Sequence, residues 1–320
     1  MAEDKILITG ASGQIGSILS IGLIEIYGYK NVILSDIKPS QLESQSVFET
    51  LDVTNSQQIS SVIEKHGITQ IYHLAAILSA TGEVDPIFTW NINMGGLIHI
   101  LEAARVHKLE KMFIPSSIAV YGHNSELDLT SQYSYQDPST LYGLSKTAGE
   151  LWGQYYFDKY ELDVRSLRYP GLISYESLPG GGTTDYAVDM FHGAIKAQQY
   201  TCYLSEDTRL PMMYIDDAIR GTLELMRSDP DKIKIRSGYN FSGFNFTPQE
   251  LADEIKLYIP EFKVDYEPDH RQLIADSWPD SIDDSEARQQ WGWSQEFGLK
   301  EMVKVIIESI DKNKPTLQTS

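Results

Sequence analysis

Tyr142 and Lys146, four positions apart in the stretch DPSTLYGLSKTAGEL, are residues of the types that move a proton at an alcohol carbon. On a helix, positions i and i+4 share a face, so this spacing puts the phenol and the ammonium one turn apart. A free phenol with a pKa near ~10 is a poor base at neutral pH. A neighbouring ammonium and a cationic cofactor ring both favour the phenolate and bring it toward the range of general acid/base work. Asp137 followed by Pro138 predicts the N-cap and first position of that helix. Ser117 closes the apolar run KMFIPSS and offers a hydroxyl to orient a substrate alcohol. Ser116 competes for that role, because strand alternation sends adjacent side chains to opposite faces. Any solvated helix can carry a Tyr and a Lys at this spacing, so the surrounding elements must decide.

Those elements are short apolar runs, KILIT (5–9), NVILSD (31–36), QIYHLAA (70–76), KMFIPSS (111–117) and VRSLRY (164–169), separated by segments of helical periodicity. The alternation predicts βαβ units and an α/β, doubly wound Rossmann-type parallel sheet buried on both faces. Past about residue 170, glycine and proline punctuate isolated strand-like pieces such as YTCYL and GYNFSG. Helices are expected there at DDAIRGTLELM and TPQELADEIKLYI. The expected organisation is a nucleotide-binding domain over 1–170 and a smaller α/β cap over 171–320, with the helix at 215–227 returning to the first domain.

GASGQIG directly follows the first strand and opens the amphipathic stretch 14–27. Gly10, Gly13 and Gly16 let the backbone turn sharply and approach a pyrophosphate, and Gln14 and Ile15 begin the helix whose N-H groups would face it. Asp36 ends the second strand about 20 residues after the last glycine, where a carboxylate accepts from ribose hydroxyls and repels a 2′-phosphate. This favours NAD over NADP, the alternative being that Asp36 is a plain strand-end turn residue. Asp52 and Val53 of LDV are expected near the adenine, and Leu74, Ala75 and Ala76 of LAA against the cofactor.

Bulk properties exclude several classes. With 26 basic and 45 acidic residues the net charge is −19, which repels phosphate backbones and anionic lipid surfaces and argues against nucleic-acid and membrane partners. Cys202 is the single cysteine and is expected to be a buried, inert strand thiol. The seven histidines form no HExxH and no Cys/His cluster, so no metal is expected. No apolar run approaches the ~20 residues of a membrane helix. The sequence start, MAEDK, runs straight into a strand, which predicts a cytoplasmic chain, or a mitochondrial one if a presequence has been removed.

The glycine turn, the acidic strand end, LAA, Ser117 and the Tyr-x-x-x-Lys spacing together resemble the extended short-chain dehydrogenase/reductase family, which includes nucleotide-sugar epimerases. Three further stretches, RYPGLISYESLPGGGTTDYAVDMF (168–191), LPMMYIDDA (210–218) and DSWPDSIDDSEARQQWGW (276–293), resemble its L-threonine 3-dehydrogenase branch. That resemblance implies NAD-dependent oxidation of L-threonine at C3 to 2-amino-3-oxobutanoate and NADH, in a homodimer formed through helices near 95–107 and 140–158. It implies Tyr142 as the base, Lys146 holding the nicotinamide ribose, Ser117 on the reacting oxygen, and Leu172 at the carboxamide end of the cofactor. It also implies substrate contacts at Ser79, Ser117, Tyr142, Thr184 and Trp278, with Thr183 competing with Thr184. As plain structure, Ser79 would be a loop cap, Thr184 a strand-start hydroxyl and Trp278 a core aromatic. Gly180 to Gly182 are expected to be a hinge over the substrate. One departure from the branch is Ser12, where a larger apolar residue is common. Two other functions compete: a nucleotide-sugar 4-epimerase, and a non-catalytic NAD-binding regulator.

Overall fold

Apolar runs, buried except in the partly exposed edge strand β3, form the first six strands: β1 (Ile6–Thr9), β2 (Val32–Asp36), β3 (Val47–Thr50), β4 (Gln70–His73), β5 (Lys111–Ser117) and β6 (Asp163–Tyr169). A computed structural model of the chain describes residues 4–38, 46–175 and 182–312. Between the strands run α1 (Gln14–Tyr27), α2 (Ser56–His66), α3 (Ser79–Gly82), α4 (Pro86–Trp90), α5 (Gly96–Val106) and α6 (Leu141–Tyr160). A single π-type turn over Asn91–Gly95 joins α4 to α5.

The second half contributes β7 (Gly171–Ile173), α7 (Tyr186–Ala197), β8 (Gln199–Cys202), β9 (Leu210–Tyr214), α8 (Ile215–Arg227), β10 (Tyr239–Asn240) and β11 (Phe244–Phe246). It ends with α9 (Pro248–Lys256), β12 (Lys263–Tyr266), α10 (Arg271–Ala275), α11 (Ser285–Trp291) and α12 (Leu299–Lys312). The main sheet is seven-stranded, in the order β10-β6-β5-β4-β1-β2-β3, and every pair is parallel. This is the doubly wound α/β fold expected from the alternating runs. β10, from the GYNFSG piece, returns to extend this sheet beside β6, pairing Tyr239 with Leu167. β9 joins β7 and β11 in a three-stranded sheet, and β8 pairs β12 in a two-stranded one.

Alternation along the strands builds two cores. Ile6 and Ile8 of β1 face one side with Leu19 and Leu23 of α1, while Leu7 faces the other with Ile59 and Ile63 of α2 and Ile100 of α5. The first core runs on through Ala218 and Leu225 of α8 into Phe191, Met212 and Phe246, so both halves of the chain share one apolar interior. Helix α8 packs against α1 and β6. Cys202 is buried at the end of β8, and burial pushes its thiol up to about 11, which removes it as a nucleophile at neutral pH.

Strand order reverses between β1 and β4, which places a crevice at the carboxyl ends of these strands, where open α/β sheets bind ligands. β4 stops at His73, so Leu74, Ala75 and Ala76 leave the sheet as a loop along that crevice. Asn93, in the π-type turn, holds the loop by accepting from the Ile77 N-H at 2.8 Å and donating to its carbonyl at 3.1 Å.

Candidate active site

The turn after β1 is built on missing side chains. Gly10 has φ of +74°, and a Cβ there would lie 2.6 Å from the Ala75 nitrogen. A Cβ at Gly16 would lie 2.2 Å from the Gly10 carbonyl oxygen. Gly13 is the N-cap of α1, which has no side-chain cap and no acid in its first turn, so its leading N-H groups are left for an anion. The Gln14 Nε2 is buried and has no hydrogen-bond partner. Asp36 accepts from the Ser12 N-H at 3.1 Å and the Lys38 N-H at 3.2 Å, while the Ser12 hydroxyl donates to the Lys38 carbonyl at 3.0 Å. The departure at Ser12 therefore ties the glycine turn to the end of β2 through a small polar side chain. Asp52 accepts from the Thr54 N-H and hydroxyl, and buried Val53 lies under Gly96, where a Cβ would come within 2.8 Å of its methyl. A bare-backbone cradle, an uncapped helix start and a strand-end carboxylate are what the diphosphate and ribose of a dinucleotide require, so these residues fit NAD.

The helix carrying Tyr142 and Lys146 begins later than Asp137 and Pro138 predict. α6 starts at Leu141, and Thr140 caps it by accepting from the Gly143 N-H at 3.1 Å. Asp137 is engaged elsewhere: its backbone N-H donates to the Val120 carbonyl, and its carboxylate accepts from the Asn124 side chain at 2.6 Å. Its carbonyl presses against Gly122, where a Cβ would come within 1.6 Å, so tertiary packing overrides the local Asp-Pro signal. The one-turn register of Tyr142 and Lys146 is unaffected.

Lys146 Nζ donates to the Pro115 carbonyl at 2.7 Å and lies 5.2 Å from the centre of the Tyr142 ring. Burial pushes the Tyr142 phenol up to about 12, and a hydrogen bond with the Ser117 hydroxyl opposes the rise. Burial pushes the Lys146 ammonium down to about 8. The two adjacent serines divide as alternation requires: Ser117 meets Tyr142, whereas Ser116 donates to Glu150 at 2.6 Å. Behind Lys146, His73 is buried with its Nδ1 2.8 Å from the Thr9 hydroxyl, and burial followed by the Lys146 charge pushes it down to about 3.

These groups open on a cleft between the sheet edge and the second half of the chain. Of the positions expected there, Gln14, Ile15, Leu74 and Ala76 line it on the sheet side, with Ser117, Tyr142 and Lys146 at its floor. Leu172, Ser79, Thr184 and Trp278 line the opposite wall. Ala75 instead faces the smaller cavity behind Lys146. Gly180 and Gly181, the expected hinge, lie outside the described residues; Gly182, which follows, lines the cleft. Thr183, rather than Thr184, pairs with Ser79, their hydroxyl oxygens lying 3.3 Å apart, while Thr184 packs under Gly171, where a Cβ would be 2.8 Å from its methyl. Trp278 is a core aromatic and a wall of the cleft at once, and its indole N-H is buried without a partner. Asp185, also in the wall, and Glu150 and Arg168, beneath the floor, were missed as candidates; their only sequence signal is position within TTDY, in the register of Tyr142 and Lys146, and in RYPG.

Residues 6–237 match the model of the NAD dependent epimerase/dehydratase family. An uncharacterized epimerase/dehydratase of Staphylococcus haemolyticus is 45% identical over 313 residues, which cover 97% of this chain and 98% of the relative. Among solved structures, the holo form of a GalE-like L-threonine dehydrogenase from Cupriavidus necator is 52% identical with a TM-score of 0.94, covering 96% of this chain and 99% of that one. A protein described as a monomeric L-threonine 3-dehydrogenase from a metagenome is 42% identical with a TM-score of 0.94, covering 97% of this chain and 100% of that one.

Proposed function

The chain belongs to the NAD dependent epimerase/dehydratase family, and we propose that within it the protein is an L-threonine 3-dehydrogenase. The observation that carries the reading is the cleft, in which the Tyr142 and Lys146 pair shares the lining with the small hydroxyl residues Ser79, Thr183 and Thr184 and with Trp278, in a chain 52% identical to a threonine dehydrogenase. Threonine is a zwitterion, so its pocket needs hydroxyl and N-H donors for the carboxylate and acceptors for the ammonium, not a basic cradle.

In this reading the Gly10, Gly13 and Gly16 turn with Gln14 and Ile15 holds the pyrophosphate. Asp36 takes the adenosine ribose; Asp52, Val53, Leu74, Ala75 and Ala76 line the adenine and sheet side; and Leu172 lies at the carboxamide end. NAD, when bound, accepts the hydride from C3, and its cationic ring offsets the burial that raises the Tyr142 phenol. Tyr142 as phenolate takes the proton of the 3-hydroxyl, Ser117 hydrogen-bonds the same oxygen, and Lys146 holds the nicotinamide ribose and favours the phenolate. The balance is L-threonine and NAD⁺ to 2-amino-3-oxobutanoate, NADH and a proton. Ser79, Trp278 and the Thr183–Thr184 pair are assigned to the amino-acid end. The division of labour proposed is nucleotide binding over 1–170, with α8 as part of that unit, and substrate binding over the remainder.

Beyond Trp278 the wall continues into a hollow lined by Asp207, Asp276 and Asp280. Its one arginine, Arg209, is engaged by Glu250 at 2.6 Å and Asn245 at 2.9 Å. A second diphosphate would meet carboxylates there, which weighs against a nucleotide-sugar substrate. A homodimer is proposed through α5 and α6, where Val106, Leu151 and Tyr155 are exposed, although one similar protein is described as monomeric.

The test is purified protein with L-threonine and NAD, followed by the rise of reduced-nicotinamide absorbance. Turnover of a UDP-sugar without a threonine signal would replace the reading by the epimerase. Tight NAD binding with turnover of neither would replace it by the regulator.

A further inference from the structure

Tyr142, Lys146 and Glu150 follow one another at four-residue intervals along α6, so one face of the helix carries phenol, ammonium and carboxylate in sequence. Glu150 is buried and fully engaged. Its Oε1 accepts from the Ser116 hydroxyl at 2.6 Å and from Arg168 Nε at 2.8 Å; its Oε2 accepts from the second Arg168 nitrogen at 2.8 Å and from Gln136 at 2.8 Å. Arg168 is held in turn by the Tyr121 hydroxyl, the Gln132 carbonyl and Asn240. Gly238 gives the carboxylate its room, since a Cβ there would lie 2.8 Å from Oε1.

Ser116 stands between the two residues of β5 that touch the reacting pair, the Pro115 carbonyl that holds Lys146 and the Ser117 hydroxyl that meets Tyr142. We propose that Glu150 is a positioning residue for this pair: gripping Ser116 of β5 and Arg168 of β6 together, it fixes the height at which Pro115 and Ser117 face Lys146 and Tyr142. The inference rests on the reading of Tyr142 and Lys146 as the acid–base pair. A buried ion pair alone is weak evidence of stabilisation, because desolvation offsets much of its attraction. What marks this pair as more than an anchor is the Ser116 bond, which leads from the carboxylate to the one strand segment between the two contacts.

The test removes that bond and leaves the ion pair. Ser116→Ala deletes the hydroxyl without touching Arg168, Gln136 or the reacting residues. In the NAD-saturated full-length protein, the ε-carbon resonance of Lys146, identified by its absence in Lys146→Arg, is titrated by NMR. The titratable groups facing Lys146 are Tyr142 and Glu150 on its own helix and His73 at the end of β4. The Lys146 midpoint is expected to move by about half a pH unit or more. The rate with threonine is expected to fall about tenfold, with its pH profile displaced by the same amount. NAD affinity and the unfolding midpoint should be nearly unchanged, and Ser116→Thr should restore the wild-type behaviour. An unmoved midpoint in a folded Ser116→Ala protein overturns the inference, and so does loss of fold and NAD binding together, which would make the bond structural only. Tyr142→Phe separates this from failure of the reading beneath it. If Tyr142→Phe stays active the acid–base assignment falls, whereas an inactive Tyr142→Phe beside an unmoved Ser116→Ala removes only the role of Glu150.

Discussion

The hydroxyl oxygens of Ser79 and Thr183 lie 3.3 Å apart across 104 residues of chain, joining the start of α3 to the turn that opens α7. Both side chains are buried, so each hydroxyl is already held by the other at the cleft wall. Thr184 instead packs its methyl beneath Gly171. We propose that the substrate contact of the pair falls on Thr183, beside Ser79. Thr183→Val keeps the shape and removes the hydroxyl, and KM for threonine is expected to rise about tenfold, the loss of one hydrogen bond to a charged group. Thr184→Val should change KM by less. Steady-state kinetics of the two variants decide it, and a larger effect at Thr184 would reverse the assignment.

Tyr142→Phe removes one oxygen from the cleft and leaves the glycine turn and Asp36 intact. The rate should fall by at least about 100-fold, the usual contribution of a positioned general base. Calorimetric NAD affinity should stay close to that of the unaltered protein, because only a group used in the transition state is lost. Retained turnover would exclude Tyr142 as the base.

The Asp36 carboxylate accepts from the N-H groups of Ser12 and Lys38, which fixes it at the carboxyl end of β2 beside the glycine turn. A 2′-phosphate placed there would meet a like charge. Asp36→Ala should weaken NAD binding and strengthen NADP binding, shifting the ratio of affinities toward NADP by about tenfold or more. A ratio unchanged in titrations with both cofactors would return Asp36 to a simple turn residue.

Spacing alone made much of this molecule legible. The glycines, the strand-end acid and the four-residue interval in α6 are each short-range patterns whose geometry follows from one turn or one helix, and the strand runs alternate as a two-faced sheet demands. What escaped depends on distant contacts. Asp137 and Pro138 read locally as a helix start, but the contact of Asp137 with Gly122 takes that segment out of the helix and leaves the cap to Thr140. Thr183 and Thr184 are chemically identical neighbours, and which of them meets Ser79 depends on the short helical turn over Thr183–Asp185. Glu150 continues the register of Tyr142 and Lys146, yet its partners Ser116 and Arg168 lie on two other elements, and nothing in the spacing pairs them.

His73 gives a prediction on stability rather than rate. It ends β4 with Nδ1 2.8 Å from the Thr9 hydroxyl, and burial, helped by the charge of Lys146, pushes its imidazole down to about 3. In the unfolded chain the same group titrates near ~6.5. Between those values the unfolded chain binds a proton that the folded protein refuses, so the free energy of unfolding falls as pH falls. The contribution is complete above about pH 6.5 and is lost progressively toward pH 3. Carboxylates confuse the lower part of that window, so the informative range is from about pH 7 to about pH 5. Urea unfolding of the wild type there should show a slope exceeding that of His73→Asn by one proton, approaching ~1.4 kcal/mol per pH unit at the acid end. His73→Asn lowers stability at neutral pH through its altered contact with Thr9, so the difference in slope, not the midpoint at one pH, carries the test. Parallel slopes would mean that His73 takes up its proton in the folded protein, and that the carboxyl end of β4 is wetter than its packing indicates.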